Sequence, residues 1–249
     1  GTFDRGGKNN FDAVQTEGAG RIARIAAEQG VATLVHLSAI GADVNGASLY
    51  AQSKGEGEKA VLDAFPTAMI LRPSVIFGNE DGFFNRFGGM AKMGPILPLV
   101  GAGTKFQPVY VDDVAAAAVK GIMGEAQGVY ELGGPDVESL RDIIGKMLVV
   151  IQRRRLLLNM PFFAGNAIAS VLDFASFCTG GLFPNKIVTR DQVTSLRSDS
   201  VVSADAKTLA DLGITAVDYA SVIPEYLWCY RPSGQYAAIK DSAKNLKKA

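Results

Sequence analysis

One histidine and two cysteines in 249 residues leave little material for a metal centre or a disulfide framework. Cys178 and Cys229 lie far apart and make no metal-ligand spacing. So sparse a cysteine content fits a reducing compartment. His36 is the lone histidine, and inside the run Leu34-Val-His-Leu it is expected as a packed core residue. Net charge is lacking too. The 25 Lys and Arg balance the 25 Asp and Glu, which argues against nucleic acid as the main partner. No uninterrupted apolar run reaches the roughly 20 residues of a spanning helix. The start, Gly1-Thr-Phe-Asp, has no initiator methionine and none of the layout of a signal peptide.

A Gly-rich phosphate turn is also missing. A dinucleotide fold needs a first strand, that turn and a selector for the 2′ position. None of these occurs before Asn10, and Gly1 stands where a strand would end. Two readings follow. The chain is an N-terminally truncated portion lacking roughly the first three strands, judged from the usual βαβ unit. Alternatively it lacks the turn by nature and binds no dinucleotide.

What is present alternates between strand and helix patterns. A helix is expected from Val14 to about Gln29, with Ile22, Ile25 and Ala26 as its apolar stripe and Gly30 as its stop. Residues 31–38 read as a buried parallel strand. Ser48 is the expected N-cap of the next helix, which Phe65-Pro66 ends. Gly55 and Gly57 inside that helix predict close packing against the sheet. Strands are expected at 68–76, 106–111 and 128–134, a helix at 83–93 and a turn at 95–98. Asp112-Asp113 opens an alanine-rich helix, and Ser139 caps one carrying Leu140, Ile143, Ile144, Met147 and Leu148 on one side. The alternation predicts an α/β fold with a doubly wound parallel sheet, Rossmann-like, plus a small, mostly helical C-terminal lobe. The boundary is placed at 152: residues 1–152 form a partial dinucleotide-binding domain and 153–249 the lobe and tail.

After that boundary, Arg153-Arg-Arg155 reads as a solvated basic face. Residues 156–183 are strongly apolar. They are either a helix packed under the lobe or a surface for a membrane or partner protein. Thr189-Arg-Asp-Gln192 is a capping box.

Tyr50 and Lys54 carry the chemistry. At i and i+4 on a helix they share a face. An ammonium beside a phenol is expected to lower its pKa and suit it to proton transfer with a carbonyl while a nicotinamide carries hydride. The spacing alone is weak and fits an ordinary surface pair. A strand ending at Ser38, the Tyr-x-x-x-Lys helix, and a strand ending in Arg72-Pro73 together resemble the extended and atypical short-chain dehydrogenase/reductase (SDR) superfamily.

A narrower resemblance covers nearly the whole chain. Lys54-Gly-Glu-Gly-Glu-Lys, Arg72-Pro-Ser-Val-Ile-Phe-Gly, Phe106-Gln-Pro-Val-Tyr-Val-Asp-Asp, Tyr130-Glu-Leu-Gly-Gly-Pro and Asp211-Leu-Gly-Ile are similar to the SDR-like nucleotide-binding accessory subunits of respiratory complex I. The resemblance implies a structural NADPH held without turnover. Its contacts would be Gly1, Ser38, Ala39, Tyr50, Lys54, Pro73, Ser74 and Val75. It implies other complex I subunits as partners and a peripheral, matrix-side place on the mitochondrial inner membrane, or a membrane-associated or cytoplasmic one in a prokaryote. Active SDR enzymes carry a hydroxyl at the seat that aligns with Ala39; a shift of one position would restore a triad of Ser38, Tyr50 and Lys54. The competing reading is therefore a soluble NAD(P)-dependent oxidoreductase or epimerase, with a non-catalytic NADP sensor as a third. No metal site is expected.

Overall fold

A computed structural model describes residues 10–178 and 189–236. The strands and helices expected from the sequence largely recur in order, so the fold is described by what carries the site.

A π-helical turn at Asp12–Thr16 leads into helix α1, Glu17–Glu28. Gly30, at φ +65°, takes the left-handed turn that stops it. Strand β1, Val35–Leu37, is followed by α2, Leu49–Ala64, then β2, Met69–Pro73. Ser48 caps α2, its Oγ accepting from the Ala51 N–H at 3.1 Å. Helix α4, Val111–Ile122, and strand β7, Gly128–Leu132, complete the unit. The sheet is parallel in the order β1-β2-β7, with Leu37 beside Leu71 and Pro73 beside Leu132. All three strands therefore end on the same edge. Two short pairs lie beyond that edge. Strand β3, Ile76–Phe77, runs parallel to β6, Val109–Tyr110, and β5, Lys105–Phe106, antiparallel to β8, Glu138–Ser139.

Alternate residues of β2 feed two cores. Met69 and Leu71 pack with Val114 and Ala117 of α4. Ile70 packs with Ala23, Ala26 and Val61 of α1 and α2. A third core joins α3, Phe84–Met93, α5, Leu140–Val150, and α8, Tyr219–Tyr226, around Phe77. It draws residues from both sides of position 152.

Four expectations are corrected. Residues 31–38 form only a three-residue strand, half exposed, because β1 has a sheet neighbour on one side only among the described residues. The segment at 95–98 is not a turn: Ile96–Val100 is a strand, β4, pairing in parallel with β9, Leu156–Met160. Its Pro98 is tolerated because β4, too, has a single neighbour there. The apolar stretch from Leu156 thus begins as a strand before helix α6, Phe162–Cys178. Finally, Gly55 and Gly57 do not meet the sheet. A Cβ on Gly57 would stand 2.2 Å from the Gln15 carbonyl oxygen, and one on Gly55 2.5 Å from the Val44 nitrogen. Both face the segments that precede and cover α2.

Candidate functional site

In open α/β sheets, ligands bind in the crevice outside the carboxyl ends of the parallel strands. Lys54 reaches this edge from α2. It is buried, and its Nζ donates to the Leu37 carbonyl at 3.2 Å. It lies 6.0 Å from the centre of the Tyr50 ring. The structure therefore brings Lys54, Tyr50 and the end of β1 together, as expected. Tyr50 packs edge-on against Phe11.

The expected activation of the phenol is not found. Burial pushes the Tyr50 pKa up, and burial also pulls Lys54 down, with Glu58 opposing in part. One donor of the ammonium goes to a backbone carbonyl, and burial is what sets the direction at the phenol.

Ser38 follows directly after β1. Its backbone N–H donates to the Leu71 carbonyl, but its buried Oγ has no hydrogen-bond partner among the described residues. A buried hydroxyl without a partner is costly, so a polar group reaching it would be favoured. Ala39 is half-buried beside it. The Pro73 carbonyl accepts from the Ile40 N–H at 3.1 Å. Ser74 has a different occupation: its Oγ donates to the Ser200 carbonyl at 2.7 Å and accepts from the Gln107 N–H. The Val75 carbonyl accepts from the Val109 N–H. Gly1 lies outside the described residues. Asn85 and Gln107 both satisfy backbone groups, those of Asn79, Asp81, Gly134 and Val202 among them.

Two supports of the site are not visible in the sequence. Asp191 lies in the first turn of α7, Arg190–Ser195, within the expected capping box. Its carboxylate also accepts the N–H groups of Leu49 and Tyr50, at 2.8 and 3.1 Å, and so fixes the first turn of α2. An acid in a helix's first turn looks like dipole complementation, and no local pattern reveals a contact so distant in sequence. Arg72 is the other. It grips Glu58 with two bonds, 2.9 and 2.6 Å, and reaches Glu131 at 3.7 Å. Lys54, Glu58, Arg72 and Glu131 thus form a charge-balanced group under the strand ends.

His36 shares this face. It is half-buried, and its buried Nε2 has no partner among the described residues. Burial first, then the Lys54 charge, lowers its pKa from the ordinary 6.5. It is held neutral, as a packed residue should be, although packing leaves one nitrogen unsatisfied. Its folded pKa lies below the unfolded one, so the unfolded state binds more protons below about 6.5. Its contribution to stability is therefore full above pH 6.5 and declines as pH falls from there through the lowered folded value. His36→Asn is expected to flatten this slope in urea melts taken between pH 7 and 5; an unchanged slope would contradict it.

Among the described residues no cluster of His, Cys, Asp and Glu could hold a metal ion, and no helix is long and apolar enough to cross a membrane.

Comparison with known proteins agrees with this architecture. A subunit described as "NADH dehydrogenase [ubiquinone] 1 alpha subcomplex subunit 9, mitochondrial" from Arabidopsis thaliana is 34% identical over 231 residues, 90% of this chain and 58% of its own length. The mitochondrial NADH-ubiquinone oxidoreductase 40 kDa subunit of Neurospora crassa is 32% identical over 91% of this chain and, again, 58% of its own length. The chain thus spans little more than half of these curated relatives. In fold it matches a Thermus thermophilus UDP-glucose 4-epimerase in complex with NAD, with TM-score 0.62 and 17% identity over 89% of this chain and 71% of that one. That likeness places the chain in the Rossmann-like α/β fold of short-chain dehydrogenase/reductases. Residues 7–142 match the RmlD substrate binding domain. With more than half of its length so matched, the chain belongs to the RmlD substrate binding domain family.

Proposed function

We propose that this chain serves in an accessory subunit of respiratory complex I, holding a nicotinamide dinucleotide that it does not turn over. The observation that carries this reading is the similarity to complex I subunits along nine-tenths of the chain. The site supports it. The pKa of the Tyr50 phenol is raised rather than lowered, and Lys54 is tied to a carbonyl. This suits a binding surface better than a proton donor.

The residues present fit the nicotinamide-ribose half of a dinucleotide. The Ser38 hydroxyl, Tyr50 and Lys54 would donate to ribose hydroxyls, and Ala39 and the backbone from Pro73 to Val75 would flank the ring. The cofactor is taken to be NADPH. When bound, such a group supplies hydride chemistry; here it serves as a structural ligand. No Gly-rich phosphate turn occurs among the described residues, so the remainder of the dinucleotide would be held elsewhere. Residues 1–152 are assigned to the nucleotide and 153–249 to other complex I subunits and the matrix face of the mitochondrial inner membrane. Phe163, 77% exposed, and Val171, 67% exposed, on α6 support a partner-facing lobe.

The test is nucleotide extraction from the native, affinity-purified protein. Wild type is expected to release stoichiometric NADPH. Lys54→Met is expected to retain at least tenfold less, and Tyr50→Phe to assemble normally. NAD in place of NADPH, or no nucleotide, would contradict the assignment.

A second reading is favoured by one observation, the buried free hydroxyl of Ser38. With Tyr50 and Lys54 it would serve a soluble NAD(P)-dependent oxidoreductase or epimerase. A large loss of activity in Tyr50→Phe on a small carbonyl substrate would favour it.

A further inference from the structure

A hollow of about 670 Å³ lies at the end of α5 and the start of β9. Arg141, Arg153, Arg154 and Arg155 line it, with Val149 and Leu156, and no carboxylate is among its lining residues. None of the four arginines makes an ion pair among the described residues. Gln152, at φ +53°, turns the chain sharply after α5 and sends three consecutive arginines into this region.

Three of the four are planted. Arg153 Nε donates to the Tyr230 carbonyl at 2.7 Å, and Arg155 Nε to the Ala91 carbonyl at 2.8 Å. Arg141 donates to the Asn159 side chain at 2.6 Å. Each guanidinium has five N–H donors, so these bonds anchor it and leave others for a ligand. The side chain of Arg154 makes no hydrogen bond among the described residues.

The rim is apolar. Val149 is 77% exposed and Leu156 62%. Ile96 sits opposite Leu156 in the β4–β9 ladder, and Leu158 follows two residues on; both are exposed on this short sheet. Fixed cations beside exposed aliphatic side chains fit an amphiphile with an anionic head. An acidic protein surface would meet the cations and leave the aliphatic rim uncovered.

We propose that this hollow seats the phosphate of an anionic phospholipid, with Val149 and Leu156 against its acyl boundary. This gives the basic run at 153–155 a role beyond a solvated face. The proposal rests on the peripheral-subunit reading only for the presence of a membrane nearby. Vesicle binding needs no complex, so either can fail without the other.

The experiment is co-sedimentation of the full-length protein with phosphatidylcholine vesicles, with and without phosphatidylglycerol. Binding is expected only with the anionic lipid and is expected to weaken with salt. Arg154→Glu should weaken it at least tenfold, given about fivefold per charge near such a surface. Arg154→Gln should lose roughly the square root of that factor. Arg24→Glu makes the same charge change on the exposed side of α1 and should leave binding unaltered. Equal binding to neutral vesicles, or equal loss in Arg24→Glu, would overturn the proposal. So would full displacement by millimolar inorganic phosphate, which would mark a free-phosphate site. Release of Arg154→Glu from the solubilised complex with vesicle binding intact would assign the hollow to an acidic protein face instead.

Discussion

Arg72→Met is expected to remove about 3–5 kcal/mol of folding stability, the cost of breaking a buried ion pair from one side. The reason is the company Arg72 keeps. The Glu58 side chain is 6% exposed and Glu131 9% exposed. With the guanidinium gone, two carboxylates remain beneath the strand ends. Lys54 balances only one of them in charge, and its Nζ donates to the Leu37 carbonyl and so does not replace the two bonds Arg72 makes to Glu58. The Ser203 N–H, 2.8 Å from Glu131, compensates only one of the carboxylates. Urea unfolding reads the effect. Adding Glu58→Gln alone to Arg72→Met should restore much of the loss, because Lys54 and Glu131 then balance in charge. A loss below about 1 kcal/mol in Arg72→Met would mean that the group behaves as an exposed surface pair.

Gly57→Ala carries the second large effect. A methyl there would sit 2.2 Å from the Gln15 carbonyl oxygen, a backbone atom that cannot swing aside. Either the π-helical turn at Asp12–Thr16 or helix α2 must move. Overpacking of this kind costs about 3 kcal/mol. Ser53 donates to the Gln15 side chain at 3.2 Å, so the displacement would strip that bond too. Gly145→Ala is the control. It lies inside α5 with nothing within 4 Å of the added Cβ, and should gain up to about 1 kcal/mol from helix propensity. If both substitutions stabilise the protein, the packing of α2 against the turn at Asp12–Thr16 is wrong.

Arg72 and Gly57 show what a sequence reveals and what it hides. Local signals were legible. Ser48, Ser139 and the Thr189 capping box bond as their types and spacings predict, because a cap is decided within four residues. The stripe Leu140, Ile143, Ile144, Met147 and Leu148 is buried as its period requires. The side-by-side placement of Tyr50 and Lys54 followed from helix geometry. Their electrostatics did not, because burial depends on what the rest of the chain lays over α2. Phe11 packs on Tyr50 and Asp191 grips its first turn, and both contacts are distant in sequence or invisible to periodicity. The strand at Ile96–Val100 was hidden because two prolines flank and interrupt it, and its partner β9 lies far along the chain.

The central claim is membership of a large respiratory assembly. Native-gel separation of mildly solubilised source membranes, probed for this chain, tests it most directly. Comigration with NADH dehydrogenase activity in one very large complex is the predicted result. A small soluble species away from that activity would contradict it and turn attention to the Ser38, Tyr50 and Lys54 reading.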